Sequence, residues 1–152
     1  MNRIDLDFGG SAAETWSERA ESFAQKVLAA IGRDGWDLSI LFCDKETMQD
    51  LNKRYRGKDE TTDVLSFELG EKFFDEEAGE RYLSGDIAIS VRDCAENAEY
   101  YKISVDEELR RLIIHGILHL DGQDHKTNES SEKMLVNQEK ILAELSGERI
   151  LL

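Results

Sequence analysis

The chain has 152 residues, with 33 acidic against 19 basic and a formal net charge of −14. That balance excludes a general nucleic-acid coat, which needs a broad basic face, but it leaves room for a nucleic-acid enzyme with one local basic patch. Hydrophobic residues make up 40% and no apolar run reaches bilayer length, so one soluble domain with a sizeable core and no membrane span is expected. The N-terminus lacks a signal-peptide core, which points to the cytoplasm, where Cys43 and Cys94 stay reduced.

Ile4–Phe8 alternates apolar and acidic residues and reads as a strand, broken by Gly9-Gly10. Ser11 and Glu14 form a capping-box pattern that predicts a helix running to about Ile31. Leu38–Cys43 reads as a buried strand. Asp44 caps a predicted helix through Tyr55, with Met48, Leu51, Asn52 and Tyr55 on one face. A loop at Gly57-Lys58-Asp59 leads to a short strand, Val64–Phe67. Residues 70–82 read as an exposed acidic loop or hairpin, and Asp86–Ser90 as another strand. Helices are expected over Asp93–Tyr101, from a second capping box at Ser104 and Glu107 to about Leu120, and over roughly Ser130–Leu145. The expected architecture is one α+β domain spanning residues 1–152, a small mixed sheet covered by helices.

The charge is segregated. Residues 45–58 carry Lys45, Lys53, Arg54, Arg56 and Lys58 against Glu46 and Asp50, whereas residues 68–80 carry Glu68, Glu71, Asp75, Glu76, Glu77 and Glu80 against Lys72.

All three histidines fall within His115-Gly116-Ile117-Leu118-His119-Leu120-Asp121-Gly122-Gln123-Asp124-His125. On a helix, His115 and His119 stand one turn apart and project from the same face. Gly122 suits the left-handed conformation that ends a helix, after which the chain can bring His125 to the same point. Three imidazoles on one ion leave coordination positions open, the pattern of a catalytic site. Burying three imidazoles without partners would cost several kcal/mol, on the order of that for any unpaired polar group, which disfavours a purely apolar core role. Imidazole ligands suit one Zn²⁺ per chain, and Ni²⁺, Cu²⁺ or Fe²⁺ also accept such a set. The spacing matches the long zinc-peptidase motif, but Gly116 stands where that motif places its general-base glutamate, which argues against a metallopeptidase.

HGILHLDGQDH closely resembles the signature of the YbeY family, bacterial endoribonucleases of ribosomal RNA maturation. Leu51-Asn52-Lys53-Arg54-Tyr55-Arg56-Gly57-Lys58-Asp59, followed by Thr61-Thr62-Asp63-Val64-Leu65-Ser66-Phe67, resembles a second block of the family, and Leu83-Ser84-Gly85-Asp86-Ile87-Ala88-Ile89-Ser90 a third. The blocks come in the family's order and span about Leu38 to Leu145. Glu68 and Gln123 depart from the commonest pattern, and neither is a ligand position.

The resemblance implies zinc held by His115, His119 and His125, an arginine important for activity, and single-stranded RNA as substrate. By motif match the arginine is Arg56, with His115 also in a catalytic role. Independently, a guanidinium offers planar, bidentate donors to the non-bridging oxygens that gain charge during phosphodiester cleavage. Lys53, Arg54 and Lys58 are candidates for RNA backbone contacts, equally readable as a solvated helix end. Arg110 and Arg111 could extend that patch. Asp86 and Asp63 read either as partners of the ligand histidines or as caps, the cap being preferred for Asp63. Asp124 is a candidate general base whose favoured role is to orient a ligand histidine. The function expected is a single-strand-specific, metal-dependent endoribonuclease in small-subunit rRNA 3′ end maturation and ribosome quality control. The alternatives are a ribosome-assembly factor with a mainly structural ion and, less favoured, a metallopeptidase. The acidic total suits docking on basic ribosomal proteins.

Overall fold

In the computed structural model, which describes residues 1–152, the chain runs β1 (Arg3–Asp7), α1 (Ser17–Ala30), β2 (Trp36–Cys43), α2 (Lys45–Arg56), β3 (Val64–Asp75), β4 (Gly79–Ser90), α3 (Val91–Tyr101), α4 (Val105–Leu120) and α5 (Lys133–Glu144). The sheet order is β1-β2-β4-β3. β1 and β2 pair in parallel, as do β2 and β4, and the β3–β4 hairpin is antiparallel. The architecture is a single α+β domain with a mixed sheet, as expected from the element pattern.

The pleat sorts side chains to two faces. Ile4, Leu38, Ile40, Phe42, Ile87 and Ile89 join the main core with Phe23, Val27 and Leu28 of α1 and with Ile113 and Ile117 of α4. Burying each of the larger aliphatic side chains contributes about 1.5–3 kcal/mol. Cys43 and Ala88 turn to the other face and pack with Met48 of α2, where Leu41, Leu51, Leu65 and Phe67 join them. Helix α4 is apolar almost all round because α1, α3, α5 and the sheet all contact it.

Most element ends fall within three residues of expectation, and the larger departures are at the first helix and at the acidic segment. The first helix begins at Ser17, and its N-cap, Trp16, makes no side-chain capping bond. Trp16 packs edge-on against Phe8 and Phe42, with centroids 5.5 and 4.9 Å away, and Ser11 N–H bonds back to Phe8 O. Packing the indole into this cluster keeps residues 11–16 out of the helix, so the Ser11–Glu14 pattern caps nothing. The strands around the acidic segment are also longer than predicted. Residues 70–82 form the arms and turn of the β3–β4 hairpin, because Asp75 accepts from Glu77 N–H and Ala78 N–H (2.8 and 3.0 Å) and closes a tight turn.

Candidate metal centre

Ser104 caps α4 by accepting from Glu107 N–H at 3.0 Å, which fixes the phase of the helix that carries His115 and His119. At its other end Gly122, with φ +86°, lets Gln123 N–H reach back to Leu118 O at 3.0 Å. The chain reverses, and His125 comes within reach of the two helical imidazoles. One nitrogen from each of His115, His119 and His125 lies within 4.8 Å of the other two.

The outer bonds of the rings decide what those nitrogens offer. Gln138 Nε2 donates to Glu139, so its Oε1 is the atom facing His115 Nδ1 at 2.6 Å. His115 Nδ1–H therefore donates, leaving Nε2 as a bare lone pair. His125 Nδ1–H donates to Thr127 O at 2.9 Å, with the same consequence. His115 Nε2 and His119 Nε2 stand 3.1 Å apart. Acceptor lone pairs this close repel unless a proton or a cation lies between them. Burial pushes both imidazoles below the ordinary histidine value, favouring the neutral, ligating form. The donor set thus fits a transition-metal ion on chemical grounds.

Gln138, Thr127 and Glu132 were not read from the sequence as site residues. Glu132 Oε1 accepts from Lys126 N–H and Thr127 N–H, both at 3.2 Å, and steadies the turn that presents Thr127 O. Gln138 had a signal: it is a polar residue buried on the inner face of α5 beside Met134, Ile141 and Leu142. Thr127 acts through its carbonyl and leaves no side-chain signature.

Arg56 is the last residue of α2, which Gly57 ends in the left-handed conformation, φ +71°. Its Nη2 donates to Ser66 O at 2.6 Å, and its guanidinium lies over the Phe67 ring, 5.2 Å from the centroid. No carboxylate is within ion-pair reach of it. Arg56, His115 and His119 line one cleft of about 490 Å³, together with Glu68 and Asp124.

Of the other expected residues only Asp124 lines that cleft. Lys53 faces Asp59 at 3.9 Å and Arg54 pairs with Asp50 at 3.2 Å, and neither they nor Lys58 line that cleft. Asp86 does not meet the histidines. Strand alternation sends Ile87 toward α4 and Asp86 to the opposite face, where it accepts from Ser39 Oγ at 2.5 Å. Asp124 accepts from His125 N–H at 2.8 Å and makes no bond to a ligand imidazole; Gln138 and Thr127 fill that role. Asp63 accepts from Val64 N–H at 2.8 Å and from Asn97 at 3.0 Å, the loop-capping arrangement. Arg110 is buried against Asp106, and Arg111 is held by Glu107, Glu108 and Glu139, so neither extends a basic patch.

The model of the family described as Endoribonuclease YbeY matches residues 7–146. The endoribonuclease YbeY of Treponema denticola is 46% identical over 132 residues, covering 87% of this chain and 85% of its own. That of Halalkalibacterium halodurans is 41% identical over 140 residues, covering 85% and 88%. The solution structure of TM1509 from Thermotoga maritima superposes with a TM-score of 0.59 at 32% identity, covering 97% of this chain and 91% of that one. With three converging imidazoles, an unpaired arginine in the same cleft and relatives of this kind along nearly its whole length, the chain belongs to the YbeY endoribonuclease family.

Proposed function

We propose that this protein is a zinc-dependent, single-strand-specific endoribonuclease that acts in the cytoplasm on ribosomal RNA, at the 3′ end of the small-subunit RNA, and in ribosome quality control. One observation carries the reading: the imidazoles of His115 and His119 and the guanidinium of Arg56 line the same open cleft. No helix is long and apolar enough to cross a membrane.

His115, His119 and His125 hold the ion, one per chain. A bound ion of this kind polarises a phosphate oxygen or lowers the pKa of a water. Gln138 and Thr127 O keep the ligating nitrogens of His115 and His125 aimed at one point. The Ser66 carbonyl anchors one edge of the Arg56 guanidinium, and the remaining N–H groups offset charge on the non-bridging oxygens. Glu68 and Asp124 are the carboxylates of the cleft and the proton acceptors available there. Attack by the neighbouring ribose hydroxyl leaves a 2′,3′-cyclic phosphate, and attack by water does not, so the ends of the cleaved RNA separate the two routes.

The peptidase alternative loses its base for a structural reason. A Cβ at Gly116 would lie 2.8 Å from Ile87 Cγ2, so the position faces the sheet and has no room for glutamate.

The deciding measurement is metal content beside cleavage of an unstructured RNA, for wild type and His119→Ala. About one zinc per chain is expected, with both metal and cleavage lost in a variant that keeps its circular dichroism. Stoichiometric zinc with no cleavage of free RNA or of ribosomal particles would overturn the assignment in favour of an assembly factor with a structural ion.

A further inference from the structure

A second cleft, of about 620 Å³, opens on the far side of the histidines between α3, α4 and α5. His115 lines both clefts, His119 the first and His125 the second, so the triad forms the saddle between them. A strand whose reacting phosphate lies over the triad, with Arg56 on the first-cleft side, has the second cleft directly open to a neighbouring nucleotide.

That cleft is built for an uncharged group. Its one cation, Arg111, is already bound by Glu107, Glu108 and Glu139, so nothing in it is left to neutralise a phosphate. What faces the space instead is a set of fixed acceptors. Asn97 Nδ2 donates to both Asp63 Oδ2 and Glu108 Oε2, at 3.0 and 3.2 Å. An amide nitrogen set between two carboxylates leaves no doubt about which way the group is turned, and Asn97 Oδ1 remains an acceptor. Buried Leu112 and the half-buried Ile103 and Leu135 supply apolar wall. At the rim stands Tyr101, 63% exposed, a ring left without a core to fill. An aromatic platform, an apolar wall and fixed acceptors match a nucleobase that carries an exocyclic amino group.

Resting on the ribonuclease reading, we propose that this second cleft is a nucleobase subsite that selects cytosine, adenine or guanine over uracil beside the cleaved bond, with Tyr101 as its stacking platform. Uracil has no exocyclic N–H₂ group: its C4 carbonyl oxygen stands where cytosine has N–H₂ and meets the acceptors Asp63, Asn97 and Glu108 with another acceptor, which leaves only the ring N3–H to donate.

The test uses zinc-loaded protein and two end-labelled twelve-nucleotide RNAs, one all uridine and one with a single central cytidine. Wild type is expected to cut beside the cytidine at least about fivefold faster than at any uridine-uridine bond. Tyr101→Ala is expected to lower kcat/KM at that bond about tenfold, and Tyr101→Phe, which keeps the ring, to retain the preference. Efficient cutting of both RNAs with no preference would overturn the subsite and leave the ribonuclease intact. Absence of cutting on both, and on ribosomal RNA, would overturn the ribonuclease reading and the subsite with it. A cytidine preference that survives Tyr101→Ala in full would remove Tyr101 from the proposal.

Discussion

Gly116 of α4 lies directly against Ile87 of β4: a Cβ at Gly116 would sit 2.8 and 2.9 Å from two carbons of the Ile87 side chain. Ile87 is itself fully packed, and Ser66 Oγ donates to Gly116 O at 3.3 Å across the same contact. The close approach seats the histidine helix on the sheet and brings β3, with Ser66 and its Arg56 contact, up to the imidazoles. Gly116→Ala should therefore destabilise the protein by about 1 to 3 kcal/mol, despite alanine's better helix propensity. Urea denaturation at fixed zinc is the measurement; an equal or higher midpoint would contradict the packing argument.

Gln138 offers a cleaner probe of the metal site, because it touches His115 without itself ligating. Gln138→Leu removes the acceptor at 2.6 Å from His115 Nδ1 and frees the ring to turn or change tautomer. Zinc affinity should fall about 10- to 100-fold, read by competition with a chromogenic chelator. Gln138→Glu keeps an acceptor and should recover much of that loss. Identical affinities in all three proteins would show that α5 plays no part in orienting the ligand.

The sequence exposed the parts of this site that repeat a local rule. Histidines one helical turn apart with a glycine beyond them give ligands and a turn without any tertiary information. Asp44 and Ser104 cap their helices as the local pattern requires. What could not be read depends on long-range partners. Asp86 reads from the sequence either as a partner of a ligand histidine or as a cap, and only the register of β4, which turns it toward Ser39, separates the two. Ser11 carries a sound capping signal that loses to the packing of Trp16. Arg110 and Arg111 are taken up first by Asp106, Glu107 and Glu108, three or four residues back on their own helix, and only Glu139, 28 residues on from Arg111, is a partner that the fold must supply.

Acid should weaken the metal-free protein through the same histidines. Burial lowers His115 and His119 from their ordinary value of 6.5, whereas in the unfolded chain they titrate near that value. Just below pH 6.5 the unfolded state therefore binds more protons than the folded one, and stability falls with pH in that direction. The contribution is fully present above 6.5 and is lost as pH drops through the lowered values. The melting temperature of the metal-free protein should decline from pH 7.5 to 5.5, and less steeply in His119→Gln. Parallel declines would assign the acid sensitivity to other groups.

Arg56→Lys separates charge from shape. Lysine retains the positive charge but not the planar fork that is anchored on Ser66 O at 2.6 Å and stacked on Phe67. Cleavage of single-stranded RNA should fall roughly a hundredfold or more in kcat/KM, with zinc content unchanged, because Arg56 lies in the cleft without touching a ligand. A lysine variant of nearly full activity would reduce Arg56 to a diffuse electrostatic role.

The β3–β4 hairpin carries the last prediction. β3 is an edge strand, and the hairpin it forms with β4 combines exposed Phe74, 72% accessible, with Glu71 of β3, Glu76 and Glu77 of the turn and Glu80 of β4. An acidic edge with an apolar centre complements a basic protein surface, the kind of surface that the proposed docking on ribosomal proteins requires. Asp75 must be spared in the test: it accepts from Glu77 N–H and Ala78 N–H and pairs with Arg3 at 3.1 Å, so its loss would open the turn. Replacing Glu71, Glu76, Glu77 and Glu80 by glutamine should abolish co-sedimentation with ribosomal subunits while zinc content and cleavage of a free oligonucleotide persist. Wild-type binding should weaken with added salt in step. Undiminished co-sedimentation of the quadruple variant would move the docking surface off this hairpin.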